Sequence, residues 1–287
     1  MEKTLLENLQ RKRPIIDCVD LTENGPKPSF IDLNTGEYCN RKCVFCPRFD
    51  SSKYPNQHLY MKIDLAKKIS KDLKSLDFKG IINICGYGEP LAHPEICDIA
   101  AVLSDASHVE IVTNGDLLKS DLIKDLYKAG ISQLVISAYD GPHQIPKFEK
   151  LMRDSDIPNS LFNIRKRWYS KEEGYGIKLT NRAGLLNNDD ELIDQSRSCA
   201  YPHYSLTIDW NGDVLLCVQD WHKKLKFGNV FADTIEDIWF SKTMNQYRTN
   251  LFKGRHCAGQ PCKNCDADGL VFGKMHLEAW KKYIKEN

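Results

Sequence analysis

The sequence predicts an α/β fold built on parallel strands. From Phe30 onward, short apolar runs alternate with segments of helical period, a pattern that implies parallel pairing through right-handed connections. A cluster of three cysteines and a glycine-rich segment fall just past the C-termini of two such runs, the rim where barrels place reacting groups. Near Asn187 the character changes, and strand-and-turn signals with recurring cysteines replace the alternation.

Residues 1–28 have weak periodicity and end in Gly25-Pro26-Lys27-Pro28, so they read as a short helix and an extended lead-in. Phe30 to Leu33 is the first strand. Asp64 to Phe78 follows as a helix, because Ala66, Ile69, Leu73 and Leu76 recur at steps of three, four and three. Gly80 to Cys85 is the second strand, and Pro94 to Leu103 a helix burying Ile96, Ile99, Ala100 and Leu103. Val109 to Val112 is the third strand, ending at Thr113-Asn114-Gly115. The next helix takes Ser120 as N-cap, turns Leu122, Ile123, Leu126 and Tyr127 inward, and stops at Gly130. Strand Gln133 to Ser137, a short helix from Ile145 to Met152, and strands near Leu161–Trp168 and Ile177–Thr180 complete six units, too few for an eight-stranded barrel.

The remainder reads differently. Asn211-Gly212 between alternating apolar runs, within Tyr204 to Cys217, is a strong hairpin signal. Asp233-Thr234 opens a helix through Ile235, Ile238 and Trp239. Lys274 to Lys285, with Leu277, Trp280 and Ile284 on one face, is a closing helix.

Composition excludes several classes. Forty Lys and Arg against 39 Asp and Glu leave a net charge of +1, which argues against a general nucleic-acid or membrane binder. No run approaches the ~18 apolar residues of a membrane span. The opening residues lack the apolar core of a secretory signal, so a cytosolic protein is expected. Eleven cysteines in that compartment point to metal rather than disulfides.

Cys39, Cys43 and Cys46 stand in the spacing C-x3-C-x2-C directly after the first strand, close enough to converge on one metal centre with little loop-closure cost. Three protein ligands leave a coordination position for a reacting molecule, where a structural site closes with four. Spacing alone also admits a zinc site with a distant fourth ligand, or chance clustering.

With Phe45 just before the third cysteine and Gly86-Tyr87-Gly88-Glu89-Pro90 after the second strand, the chain resembles the radical S-adenosylmethionine (SAM) enzymes. The resemblance implies an open, partial (β/α)6 TIM barrel. It also implies a [4Fe-4S] cluster on Cys39, Cys43 and Cys46 whose remaining iron chelates SAM. Phe45 would then pack near the adenine. Gly86, Gly88, Glu89 and Pro90 would receive the methionine end, Gly88 admitting SAM to its backbone and Glu89 accepting from the ammonium. Asn114 and Ser137, at strand ends, are candidates for ribose or carboxylate contacts, or for caps and turns. Arg165 or Arg167 would pair with the SAM carboxylate, and alternation puts both on one face.

Cys199, Cys217, Cys262 and Cys265, with Phe227-Gly228-Asn229-Val230 and Thr234 to Trp239, are similar to the SPASM or twitch extension of that family. The resemblance implies a small C-terminal α+β iron–sulfur extension carrying a second, auxiliary [4Fe-4S] cluster. The full extension has seven cysteines; none follows Cys265 here. A four-cysteine zinc ribbon is the alternative. Cys257 is left over, as a structural thiol, a replacement ligand for Cys262 or Cys199, or a hydrogen-atom donor. Cys18, Cys85 and Cys97 read as bystander or core thiols. The expected divisions are 1–28 lead-in, 29–186 partial barrel and 187–287 extension.

The implied reaction is reductive cleavage of SAM, followed by hydrogen-atom abstraction from a substrate carbon. The expected substrate is a small polar molecule of amino-sugar or aminocyclitol type, to be oxidised or epimerised, with Cys257 and Asp220 as candidate catalytic groups. His143, Arg167, Trp168, Tyr169, Arg182 and Gln219 are further candidates for its pocket. A ribosomally made peptide is the alternative substrate, and a non-enzymatic iron–sulfur or zinc protein the opposing class. An electron donor such as flavodoxin or ferredoxin is the expected partner, with neither nucleic acid nor membrane.

Overall fold

A computed structural model describes residues 3–168, 180–186 and 194–286 of the chain. Helix α1 (Lys3–Ile16) leads into a minimal hairpin of β1 (Leu21–Thr22) and β2 (Gly25–Pro26). The alternating region follows as β3 (Phe30–Leu33), α2 (Ile63–Ser75), β4 (Ile81–Ile84), α3 (Ile96–Ser104), β5 (His108–Thr113), α4 (Ser120–Lys128), β6 (Gln133–Ala138), α5 (Gln144–Asp154) and β7 (Phe162–Lys166). These five strands pair in parallel, in sequence order. Their apolar runs are buried throughout in β3, β4 and β6, as central parallel strands covered on both faces must be. Ile69, Leu73, Ile99, Leu103, Ile123 and Leu126 from the helices close over the sheet as one core.

The sixth parallel strand comes from an unexpected place. After the short helix α6 (Tyr201–Tyr204), β8 (Ser205–Ile208) lies beside β3, with Phe30 opposite Ser205 and Leu33 opposite Ile208. The expected hairpin forms between β8 and β9 (Asp213–Leu215) around Gly212, whose φ of +88° suits glycine, and β10 (Lys226–Asn229) adds a further antiparallel strand. One eight-stranded sheet therefore runs β10-β9-β8-β3-β4-β5-β6-β7 across the whole chain. The alternation of apolar residues announced the hairpin. That every residue of β8 is buried, and so needs a second neighbour, is visible only in the fold. The strand expected at Ile177–Thr180 lies almost wholly outside the described residues.

Other boundaries moved by a turn or less. Ser120 is the first helical residue of α4 rather than its cap; Lys119 takes that place, and the Ser120 hydroxyl bonds Ser155 instead, at 2.8 Å. Helix α3 begins at Ile96, after Pro94. The C-terminal region adds α7 (Ile235–Trp239), capped by Thr234 as the sequence suggests, then α8 (Lys242–Phe252), α9 (Arg255–Ala258) and α10 (Lys274–Glu286). Trp280 of α10 is fully buried against Trp239 and Phe240. Among the described residues, no helix is long and apolar enough to cross a membrane. None of the eleven cysteines forms a disulfide.

Candidate active site

The connection from β3 to α2 carries the three clustered cysteines. Asn56 clamps its start, accepting from the Cys39 amide at 2.9 Å and donating to the Cys39 carbonyl at 2.8 Å. Arg41 reaches the carboxylates of Asp116 and Asp140, beyond the ends of β5 and β6. Arg48, just past Cys46, is buried and donates to Glu37 at 2.8 Å. The loop is thus fixed to the strand ends by charge rather than by apolar packing. Burial pushes all three thiols up, and repulsion from Cys46 and Cys39 helps carry Cys43 to about 12. Thiols that oppose one another's ionisation in this way suit a cationic iron centre, which would relieve both costs.

The glycine-rich segment after β4 lies against this loop. The Tyr87 amide donates to the Asn34 side chain at 3.1 Å, and the Glu89 amide to the Tyr38 carbonyl at 2.8 Å. A Cβ on Gly88 would stand 2.3 Å from the Gly36 carbonyl oxygen and 2.8 Å from that of Tyr38. The glycine requirement here therefore arises from packing on the cysteine loop, a reason the sequence did not disclose. Gly86, at φ +139°, likewise meets Asn34. The Glu89 carboxylate is buried and accepts from Thr113 Oγ1 (2.6 Å), the Asn114 amide (2.9 Å) and the Leu91 amide (3.1 Å). Burial raises its pKa, while these three donors pull it down. Two oxygens offer about four acceptor positions, so one is left for a ligand.

A cavity of about 470 Å³ opens at the C-terminal ends of the parallel strands. Cys39, Cys43, Cys46 and Phe45 form part of its wall, with Gly86, Gly88 and Glu89. Asn114, Ser137, Arg165 and Arg167 also line it, so both arginines face inward as their spacing requires. Arg165 donates to Ser137 Oγ at 2.8 Å, and its buried Nε has no partner. The Asn114 side chain instead ties the strand end to Asn40 of the cysteine loop, at 2.7 Å. Phe45 stands 5.5 Å from the ring of Tyr139, which sequence reasoning missed.

The floor was missed as well. Asp32, Asn83 and Cys85 lie there, with Lys12 reaching up from α1. Asp32 accepts from Asn83 at 2.9 Å and Ser205 at 3.0 Å; burial raises its pKa against those contacts and Lys12. A lone carboxylate inside the apolar run Phe30 to Leu33 was the available signal. Cys85, read from sequence as a core residue, faces the cavity, and burial pushes its thiol to about 12.

Four other cysteines gather behind the part of the wall that Tyr201, Val218 and Gln219 form. Burial raises the Cys217 thiol, and repulsion from Cys262, Cys265 and Cys199 adds to it. Cys262 and Cys265 share one turn, closed by a 3.1 Å backbone bond. The described residues include no three His, Cys, Asp or Glu placed around a single ion. The thiols of a [4Fe-4S] cluster bind separate irons, so they need no such point. Tyr201, Val218 and Gln219, next to Cys199 and Cys217 in the chain, line the cavity. The cavity therefore sits between the two thiol groups.

Several expected residues lie elsewhere. Cys257 is exposed on α9 and lines no part of the cavity, so it cannot reach a substrate there in this conformation. The Asp220 carboxylate is buried and accepts from the Leu225 amide at 3.1 Å; it too is absent from the cavity wall. Pro90, His143 and Trp168 are not in the lining, whereas Arg182 and Gln219 are. Tyr169 lies outside the described residues.

Comparison with known proteins agrees with this geometry. The family model described as the radical SAM superfamily matches residues 33–194, more than half of the chain, and that of an iron–sulfur cluster-binding domain, SPASM, matches residues 199–266. The S-adenosyl-L-methionine-dependent 2-deoxy-scyllo-inosamine dehydrogenase of Niallia circulans is 27% identical over 241 residues, 83% of this chain and 92% of that protein. A GTP 3′,8-cyclase of Campylobacter jejuni is 30% identical over 181 residues, 59% of this chain and 51% of the cyclase. The crystal structure of BtrN in complex with AdoMet and 2-DOIA superposes with a TM-score of 0.72 at 26% identity, covering 87% of this chain and 97% of that one. Two thiol groups flanking one cavity, and two family models that each contain one of the groups, lead to the same conclusion: this chain belongs to the radical SAM superfamily and carries a SPASM-type iron–sulfur domain.

Proposed function

We propose that this enzyme dehydrogenates a secondary alcohol on a small amino-bearing ring, of aminocyclitol or amino-sugar type. The observation that carries the reading is one cavity lined by the first thiol group and by chain neighbours of the second, in a chain alike over 83% of its length to a dehydrogenase of 2-deoxy-scyllo-inosamine. An oxidation needs an acceptor for the second electron, and an auxiliary cluster behind the far wall supplies one. At about 470 Å³, with Lys12, Asp32, Arg165, Arg167 and Arg182 in its lining, the cavity suits a compact polar molecule beside SAM.

Cys39, Cys43 and Cys46 would hold the SAM-binding cluster; Cys199, Cys217, Cys262 and Cys265 the auxiliary one. SAM bound at the reduced cluster supplies the hydrogen-abstracting 5′-deoxyadenosyl group. The protein's part is placement. Phe45 and Tyr139 offer an aromatic wall for adenine, and the open acceptor position of Glu89 meets the ammonium. The unpartnered Nε of Arg165 suits a carboxylate. Arg182, whose charge reaches Cys46, and Gln219, beside Cys217, would orient substrate hydroxyl and amino groups. A flavodoxin- or ferredoxin-type donor would deliver the first electron, in the reducing cytoplasm that eleven free thiols suit.

The test is turnover of 2-deoxy-scyllo-inosamine in deuterated water, with SAM and a reductant. The expected product is lighter by one H2, carries no solvent deuterium on the reacting carbon, and forms with an equivalent of 5′-deoxyadenosine. Epimerisation is the second reading, because Cys85 presents a protonated thiol to the cavity. A product of unchanged mass in ordinary water that acquires solvent deuterium would establish it and overturn dehydrogenation.

Glu89→Gln is expected to weaken SAM binding about tenfold, one ionic hydrogen bond, while the cluster's absorption spectrum persists. Equilibrium dialysis against labelled SAM measures it, and unchanged affinity removes Glu89 from the site.

A further inference from the structure

We propose that Arg255 is the buried countercharge of the auxiliary cluster and raises its reduction potential. The inference rests on the assignment of Cys199, Cys217, Cys262 and Cys265 as that cluster's ligands.

Arg255 is 1% exposed. Its Nη1 donates to the Cys265 carbonyl at 2.7 Å, and its Nη2 to those of Ala267 at 2.6 Å and Asp268 at 3.0 Å. Its Nε is buried without a partner. No carboxylate of the described residues forms a salt bridge with it, the nearest charge effect being on the exposed Asp194, in contrast to the buried Arg48, which has Glu37. Neutral carbonyls satisfy hydrogen bonds but not net charge, and a guanidinium does not shed its proton. The other fully buried guanidinium without a carboxylate, Arg248, lies over the rings of Trp239 and Trp280; Arg255 has no such aromatic face, and an anion nearby is what would offset its charge.

The four thiols are the group in position to supply it. A Cβ on Gly269 would stand 2.5 Å from Arg255 Nη2 and 2.7 Å from Cys199 Sγ, so the missing side chain lets cation and sulfur share one space. Arg197 lies further off, donating to the Cys265 carbonyl at 3.5 Å, and is partly exposed. Four thiolates on a [4Fe-4S] core leave a net negative charge that grows on reduction. A fixed positive charge in a low-dielectric setting therefore favours the reduced state.

The experiment uses the full chain with Cys39, Cys43 and Cys46 replaced by alanine, so that only the auxiliary cluster remains. Iron content is measured, and the midpoint potential is followed by electron paramagnetic resonance in a redox titration. With Arg255 present, about four irons per chain are expected. An iron-free protein at that stage overturns the ligand assignment, and the proposal with it. Arg255→Gln should load iron and titrate at lower potential, by at least tenfold in the one-electron equilibrium, about 59 mV. Arg255→Lys should fall by less than half as much. A smaller fall in Arg255→Gln, or equal falls in both variants, overturns the proposal. If Arg255→Gln takes up no iron, the lysine variant decides. Iron-loaded Arg255→Lys supports the role of charge, whereas an iron-free one assigns Arg255 to holding the three carbonyls and overturns it.

Discussion

Replacing Cys39, Cys43 and Cys46 together by alanine is expected to lower iron from about eight to about four per reconstituted chain and to abolish 5′-deoxyadenosine formation. The argument rests on separation. The two thiol groups lie in different segments, only the first lines the cavity, and no residue belongs to both. Losing the first should leave Cys199, Cys217 and Cys262 packed with Leu216, Leu251 and Ala258, and Cys265 with Ala183 and Ala267. Iron and sulfide analysis with Mössbauer spectroscopy reads the outcome. One equivalent of zinc in place of the remaining irons would refute the auxiliary assignment. Loss of all iron would refute that assignment as well.

What the sequence revealed was local. The cysteine spacings, the glycine-rich segment and the apolar periods each lie within a few residues, and each has its expected place in the structure. What it concealed was made by distant segments meeting. The run from Ser205 to Ile208 reads like any strand, and nothing local says that it pairs with Phe30 to Leu33, over 170 residues earlier. Gly88 was read as a place for a ligand to approach, whereas its nearest obstacle is the Gly36 carbonyl of the cysteine loop. Lys12 lies in a stretch of weak periodicity where nothing local marks it, yet it is buried against Glu110 and reaches the cavity floor. Cys257 shows the opposite error. Nearness in sequence to Cys262 suggested a role at the site, but Cys257 faces solvent on a four-residue helix and is absent from the cavity wall. Chemistry carried by contiguous motifs was legible; countercharges supplied across the fold were not.

One such countercharge carries the second large expected effect. Arg48→Met should destabilise the protein by roughly 3–5 kcal/mol, the cost of opening a buried ion pair and leaving buried carbonyls without their donor. The Arg48 and Glu37 side chains are 2% and 4% exposed. Arg48 also donates to the carbonyls of Tyr87 at 2.5 Å and Pro55 at 3.0 Å, and its guanidinium lies 4.8 Å from the Tyr54 ring centroid. Methionine keeps the apolar stem but satisfies none of these acceptors. Glu37 would retain Lys223, which bridges it to Asp209 and so ties the loop to the C-terminal region. Because Glu37 precedes Cys39 by two residues and Arg48 follows Cys46 by two, their pairing closes both ends of the cysteine loop on one another. Loosening it should therefore cost iron at the SAM-binding site while about four irons remain at the auxiliary one. Arg48→Lys, which keeps the charge but offers fewer directed donors, should fall between the two proteins. Urea unfolding midpoints and iron analysis on the same samples provide the check. A full complement of about eight irons in Arg48→Met, with an unchanged midpoint, would show that the loop holds its shape without the clasp.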